Sequence, residues 1–107
     1  MKVKTFETKS GQKPIDDFIK QQDDSTVAKI SFRIDLLEKF GSSLGMPYSK
    51  KITNNLYELR IRGKVEVRIL YTVKNSEAIL LNIFKKKTDK IPLREIKVAQ
   101  ERLRLLV

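Results

Sequence analysis

From Tyr48 onward the apolar residues of this chain stop recurring every three to four positions and begin to recur at every second one. That change of period constrains the fold more than any other feature, because period two belongs to half-buried strands and period 3.6 to amphipathic helices. Tyr57-Glu58-Leu59-Arg60-Ile61-Arg62 alternates strictly, and so does Val65-Glu66-Val67-Arg68-Ile69-Leu70-Tyr71-Thr72-Val73. Turn signals at Thr53-Asn54-Asn55, Arg62-Gly63-Lys64 and Lys74-Asn75-Ser76 separate the runs. The pattern predicts an antiparallel meander.

The preceding half reads differently. Lys2 to Glu7 predicts a short first strand, Ser10-Gly11 breaks the chain, and Pro14 with Asp16 and Asp17 opens a helix whose stripe is Ile15, Phe18 and Ile19. Asp23-Asp24-Ser25 caps a second helix, with Val27, Ile30, Ile34 and Leu37 on one face and a stop at Gly41. Gly41 to Pro47 is a loop too short and too apolar to separate two domains. Ile91-Pro92 starts a last helix with Leu93, Ile96, Ala99 and Leu103 on one face and Arg94, Lys97 and Arg104 away from it. The expectation is an α+β fold in one domain over residues 1–107: short N-terminal strand, two helices, antiparallel meander, C-terminal helix.

Register decides which side chains meet. A two-residue loop at Gly63-Lys64 would set Ile61 opposite Glu66 and put charge on the apolar face. A three-residue loop of Gly63-Lys64-Val65 pairs Ile61 with Val67, Leu59 with Ile69 and Tyr57 with Tyr71, so Arg60 faces Arg68 and Arg62 faces Glu66. The second register keeps one face apolar and should win. Two arginines directly opposite each other carry a local cost that a bound polyanion would relieve. The next strand, Ala78 to Lys86, is apolar on both parities except for Asn82, which predicts a central strand covered on both sides. Ile79, Leu81 and Ile83 are expected on the core face under the first two helices. Leu80, Asn82, Phe84 and Lys86 are expected beside Arg60 and Arg68, with the last helix over Leu80 and Phe84.

The chain carries 23 Lys and Arg against 13 Asp and Glu, a net charge of +10. Residues 48–75 and 85–107 each hold a net +5, whereas residues 1–47 hold only +1. A concentration of this kind suits a polyanionic partner, nucleic acid before anionic membrane. No apolar run approaches the roughly 20 residues of a membrane span, and the start lacks the apolar core of a signal peptide, so a cytoplasmic protein is expected. The sequence has neither cysteine nor histidine. Thiolate catalysis, Cys-based zinc sites and imidazole chemistry are thereby excluded.

Cleaving RNA through its own 2′-hydroxyl needs a base, a stabiliser of the phosphorane charge and an acid for the leaving 5′-oxygen. Arg60, Arg62 and Arg68 are forks that fit phosphoryl oxygens bidentately. Glu66, taken as the only carboxylate among them, is the candidate base, although adjacent arginines favour its charged form. Lysines crowded by cations release protons more readily, which makes Lys86 or Lys87 the other choice. Lys50, Lys51, Lys64, Lys85 and Lys87 are candidate RNA contacts. No metal site or cofactor is expected, since Glu66 lacks neighbouring carboxylates in this arrangement.

These residues also resemble a known family. Leu44-Gly-Met-Pro-Tyr-Ser-Lys-Lys-Ile-Thr-Asn-Asn-Leu-Tyr-Glu-Leu-Arg60, Ile61-Arg62-Gly63 and Val67-Arg68-Ile69-Leu70-Tyr71 look like the phage-derived, HigB-type branch of the RelE/ParE toxin superfamily. So do Phe84-Lys85-Lys86-Lys87-Thr88 and Pro92-Leu-Arg-Glu-Ile96. The resemblance implies a RelE-like fold and the toxin of a type II toxin–antitoxin pair. Such a toxin cuts mRNA on the ribosome without metal, leaves a 2′,3′-cyclic phosphate, and is neutralised by a HigA-type helix-turn-helix antitoxin. Operator DNA is then met only through the antitoxin. The family's strand-end arginine and lysine roles fall on Arg60, Arg62, Arg68 and Lys86, with Lys87 next. The chain departs from many RelE-type enzymes in lacking a tyrosine or histidine near its C-terminus: its last tyrosine is Tyr71, and Phe84, the nearest late aromatic, is expected in the core. Two other readings use the same features, a ParE-like gyrase inhibitor and a non-catalytic RNA or ribosome binder.

Overall fold

The computed structural model describes residues 1–106. Strand β1 (Lys2–Thr5) leads into helices α1 (Pro14–Lys20) and α2 (Asp24–Phe40), then strands β2 (Ser49–Thr53), β3 (Leu56–Ile61), β4 (Val67–Lys74) and β5 (Glu77–Lys85), and helix α3 (Leu93–Arg104). The five strands form one mixed sheet in the order β1-β5-β4-β3-β2. The meander is antiparallel, and β1 adds to β5 in parallel. The architecture is α+β, and among the described residues no helix is long and apolar enough to cross a membrane.

Local chemistry sets the boundaries. The side chain of Asp23 accepts from the Thr26 amide at 2.8 Å and so caps α2. Gly41 ends it at φ +54, a conformation that disfavours a side chain. Asn75 and Ser76 both take positive φ in the two-residue turn that sets Lys74 opposite Glu77.

The β3–β4 register is the predicted one: Tyr57 pairs with Tyr71, Leu59 with Ile69, Arg60 with Arg68 and Ile61 with Val67. The ladder stops there. Arg62 and Glu66 lie beyond it and meet through their side chains instead. Helices α1 and α2 bury Ile15, Ile30 and Leu37 against Leu59, Ile61, Val67, Ile69 and Tyr71.

Strand β5 corrects the expected faces. Leu70 pairs with Asn82 but Tyr71 pairs with Leu80, so Leu81 is an extra residue and the parity inverts across it. Ala78 and Leu80 therefore join the α1/α2 core with Ile83, while Ile79 and Leu81 join Phe84, Leu70 and Ala99 under α3. Asn82 stays on the α3 side, where its Nδ2 donates to the backbone carbonyl and the carboxylate of Glu95, both at 3.0 Å, and its Oδ1 accepts from the Ile83 amide. Arg102 donates to the Leu81 carbonyl at 2.7 Å. The polar exception in the strand thus anchors α3. Leu93, expected on the packed face of that helix, is exposed instead.

Candidate active site

Leu56, Glu58 and Arg60 of β3 and Arg68, Leu70 and Thr72 of β4 share the α3 side of the sheet, where α3 packs on Leu70, Ile79, Leu81 and Phe84. At the hairpin end the same face carries Glu58, Arg60 and Arg68. Arg60 and Arg68 sit directly opposite each other. Their repulsion is relieved from within the protein as well as by any polyanion that binds. Glu58, only 2% exposed, accepts through Oε1 from Arg60 Nε at 2.9 Å and faces Arg68 Nε with Oε2 at 3.3 Å. Burying one carboxylate between two guanidinium groups is stable only because each charge has a counterpart.

The two arginines are not equivalent. Arg68 is also 2% exposed; its Nη1 donates to the Val67 carbonyl at 3.1 Å and its Nη2 lies 3.7 Å from Glu66 Oε1. Its charge is paired within the protein by Glu58 and Glu66. Arg60 is held through Nε alone and is partly exposed, which leaves its terminal nitrogens for a ligand. Glu66 is divided in another way: Oε1 accepts from Arg62 Nη1 at 3.2 Å, whereas Oε2 is enclosed and has no hydrogen-bond partner among the described residues. The Lys86 amide donates to the Glu66 carbonyl at 2.9 Å, which fixes the end of β5 beside this carboxylate.

A cleft of about 320 Å³ opens over these groups. Its lining is Arg60, Arg62, Arg68, Lys86 and Lys87, with Glu66, Thr88 and Asp89. Five cations around two acids make a strongly positive recess that suits a phosphodiester. A family model described as phage-derived, Gp49-like protein matches residues 17–104. The chain belongs to this Gp49-like family. The family is associated with RelE-like and toxin-like proteins. The matched span runs from α1 to the end of α3 and contains every residue of the cleft. No curated protein matches the chain.

Within this Gp49-like fold, the residues singled out as catalytic all reach one place: Arg60, Arg62, Arg68, Glu66 and Lys86 line the cleft together. Of the further lysines only Lys87 joins them. Lys85 pairs with Val67 and shares its face, so it lines a neighbouring cavity with Phe18. Lys64 lies at the hairpin tip, which folds down on α2; a Cβ on Gly63 would come within 2.6 Å of Lys29 Nζ, and Lys64 acts on the charge of Asp23. Lys50 and Lys51 stand exposed on the edge strand β2. Glu58, Thr88 and Asp89 also belong to the site, beyond the residues that the sequence singles out. The statement that Glu66 is the only carboxylate in the patch is therefore corrected: Glu58 shares the parity of Arg60 two residues away, and that alternation was the signal for it.

Proposed function

We propose that this Gp49-like chain is a HigB-type toxin with a RelE-like fold, the toxin of a type II toxin–antitoxin pair in the cytoplasm, and a ribosome-dependent endoribonuclease that blocks translation by cutting mRNA. The observation that carries this reading is the half-buried Glu66 carboxylate lining a recess of cations. A 2′-hydroxyl donating to this carboxylate gives up its proton as the 2′-oxygen attacks the adjacent phosphorus. Arg60, through its free terminal nitrogens, and Arg62 neutralise the charge that builds on the phosphoryl oxygens. Lys86 or Lys87 delivers a proton to the departing 5′-oxygen, leaving a 2′,3′-cyclic phosphate and a 5′-hydroxyl. Arg68 acts as a positioning residue, holding Glu58 and Glu66 in place. No step requires a metal or cofactor. Its partners are the ribosome and mRNA, a HigA-type helix-turn-helix antitoxin, and operator DNA only through that antitoxin.

The test is cleavage of mRNA on translating ribosomes by purified protein, with EDTA tolerated to the extent the ribosomes allow and product ends mapped. Arg60→Ala should lower the cleavage rate about 10²–10³-fold, and Glu66→Gln about 10²–10⁴-fold. Folded protein that leaves mRNA intact would sink the reading, and loss of gyrase supercoiling in its place would favour the ParE-like alternative.

A further inference from the structure

A second cavity, of about 490 Å³, lies against the cleft on the other side of the segment after β5. It opens between α1, the end of β5 and the first turn of α3. Lys87 and Thr88 line both recesses, so the two are continuous along one wall. Phe18 and Pro92 give this cavity an apolar side, and Lys85, Lys87 and Arg94 give it a cationic rim. The single acid there, Glu95, is drawn away by the 3.0 Å bond from Asn82 Nδ2 to its Oε1. Arg94 Nε stands 3.9 Å from the other oxygen with its side chain 80% exposed, a loose pairing that leaves the guanidinium available.

An aromatic and a proline beside three cations form a site for a flat apolar group joined to an anion. A nucleotide is such a group: its base seats against the apolar side and its phosphate meets the rim. We propose that this cavity is a subsite for the nucleotide next to the scissile phosphate, with Phe18 receiving the base and Lys85 and Arg94 the flanking phosphate. The proposal rests on the RNA-cleaving reading of the cleft and adds what that reading lacks, a feature that senses a base. A strand held by its phosphate among Arg60, Arg62 and Lys86 passes Lys87 and enters this cavity without leaving the protein surface. The absence of a late tyrosine or histidine is then offset from another element, since Phe18 comes from α1.

The test uses 2′-O-methyl oligoribonucleotides, which lack the nucleophile and stay intact, with one abasic position walked along the strand and affinity read by fluorescence anisotropy. For the wild-type chain one abasic position beside the central phosphate should weaken binding about tenfold. In Lys85→Ala/Arg94→Ala, whose changes are on the surface, and separately in Phe18→Leu, that loss should shrink to less than about twofold. Thermal melting monitors folding of each variant. An abasic penalty that is absent from the wild type, or that persists unchanged in both variants, overturns the subsite. A Lys85→Ala/Arg94→Ala loss that is equal for the oligonucleotide and for polyglutamate also overturns it, in favour of an acidic peptide site. Ribosomal cleavage is measured on the same preparations. An intact base-specific penalty without cleavage overturns the nuclease reading alone, and cleavage without the penalty overturns the subsite alone.

Discussion

The two faces of the one sheet are built to different rules. Under α1 and α2 the face is apolar along its length, from Leu59 and Ile61 through Ile69 to Leu80. Under α3 it is apolar at Leu56, Leu70, Ile79, Leu81 and Phe84, and is interrupted on β3 and β4 by Glu58, Arg60 and Arg68, which stand beside Leu70 and Phe84 in the ladder. Helix α3 packs chiefly on β5 and β4, which leaves the β3 side of that face open. The first face is stabilised by area removed from water, which is indifferent to the identity of one residue so long as its volume is kept. The second is stabilised in part by charge pairing, which fails when one partner is lost. The largest expected effects follow from that contrast. Glu58→Leu strands two guanidinium groups and should cost about 3–5 kcal/mol in urea denaturation, whereas Ile69→Val on the helix-pair face should cost about 0.5–1.5 kcal/mol. Glu58→Leu/Arg68→Leu removes both buried charges and should recover most of the loss. A double variant as unstable as the single one would mean that Arg60 or Glu66 holds the cluster together, and the contrast between the faces would need redrawing.

A smaller effect probes a polar contact within the apolar face. Tyr71 and Ser49 share a hydrogen bond of 2.6 Å between their hydroxyls. Burial pushes the Tyr71 phenol above its ordinary value, with Tyr57 adding to the rise and the Ser49 bond opposing it. The folded chain thus keeps this proton to higher pH than the unfolded chain does. Its contribution is fully present below the unfolded tyrosine value of about 10 and is lost as pH rises beyond it. Tyr71→Phe should cost about 1–2 kcal/mol at neutral pH by leaving Ser49 unpaired, and its stability should fall less steeply than wild type above pH 10. Parallel alkaline arms for the two proteins would show that Tyr71 does not contribute to that slope.

The difference between the faces also explains what could be read in advance. Strands β3 and β4 have one apolar parity each, so a slip of one residue would expose every core side chain and the register is legible. Strand β5 is apolar on both parities, so the inversion at Leu81 leaves the pattern unchanged and only packing against α3 reveals it. The meeting of Arg60 with Arg68 is legible because strand pairing alone sets them opposite, and Lys86 follows one residue past the ladder through its amide bond to Glu66. Lys64 and Lys85 were grouped with them by nearness in sequence, although Lys85 shares parity with Ile83 and Val67 and points elsewhere. The course of residues 62–66 depends on contacts with α2, which no local pattern encodes. Thr88 and Asp89 lie after the last strand, beyond the reach of any parity argument.

The smallest predicted effect tests whether the hairpin tip belongs to the helix-pair side at all. Asp23 caps α2, and its carboxyl is held below the ordinary aspartate value, first by the hydrogen bonds from Thr26 and then by the nearby charges of Lys64 and Lys29. A depressed carboxyl contributes stability above its unfolded pKa, and that contribution is lost as pH falls through the folded value. Lys64→Ala removes one of the two cations, so the Asp23 carboxyl should titrate at a slightly higher pH when followed by carbon-detected NMR. The same variant should leave the RNA affinity of the cleft nearly unchanged, apart from the small uniform loss that follows from one less positive charge. A Lys64→Ala chain in which Asp23 titrates as before while RNA binding collapses would place the tip over the cleft. In that case the hairpin loop would belong to the ionic face, and the boundary between the two halves of the molecule would run through α2 rather than along the sheet.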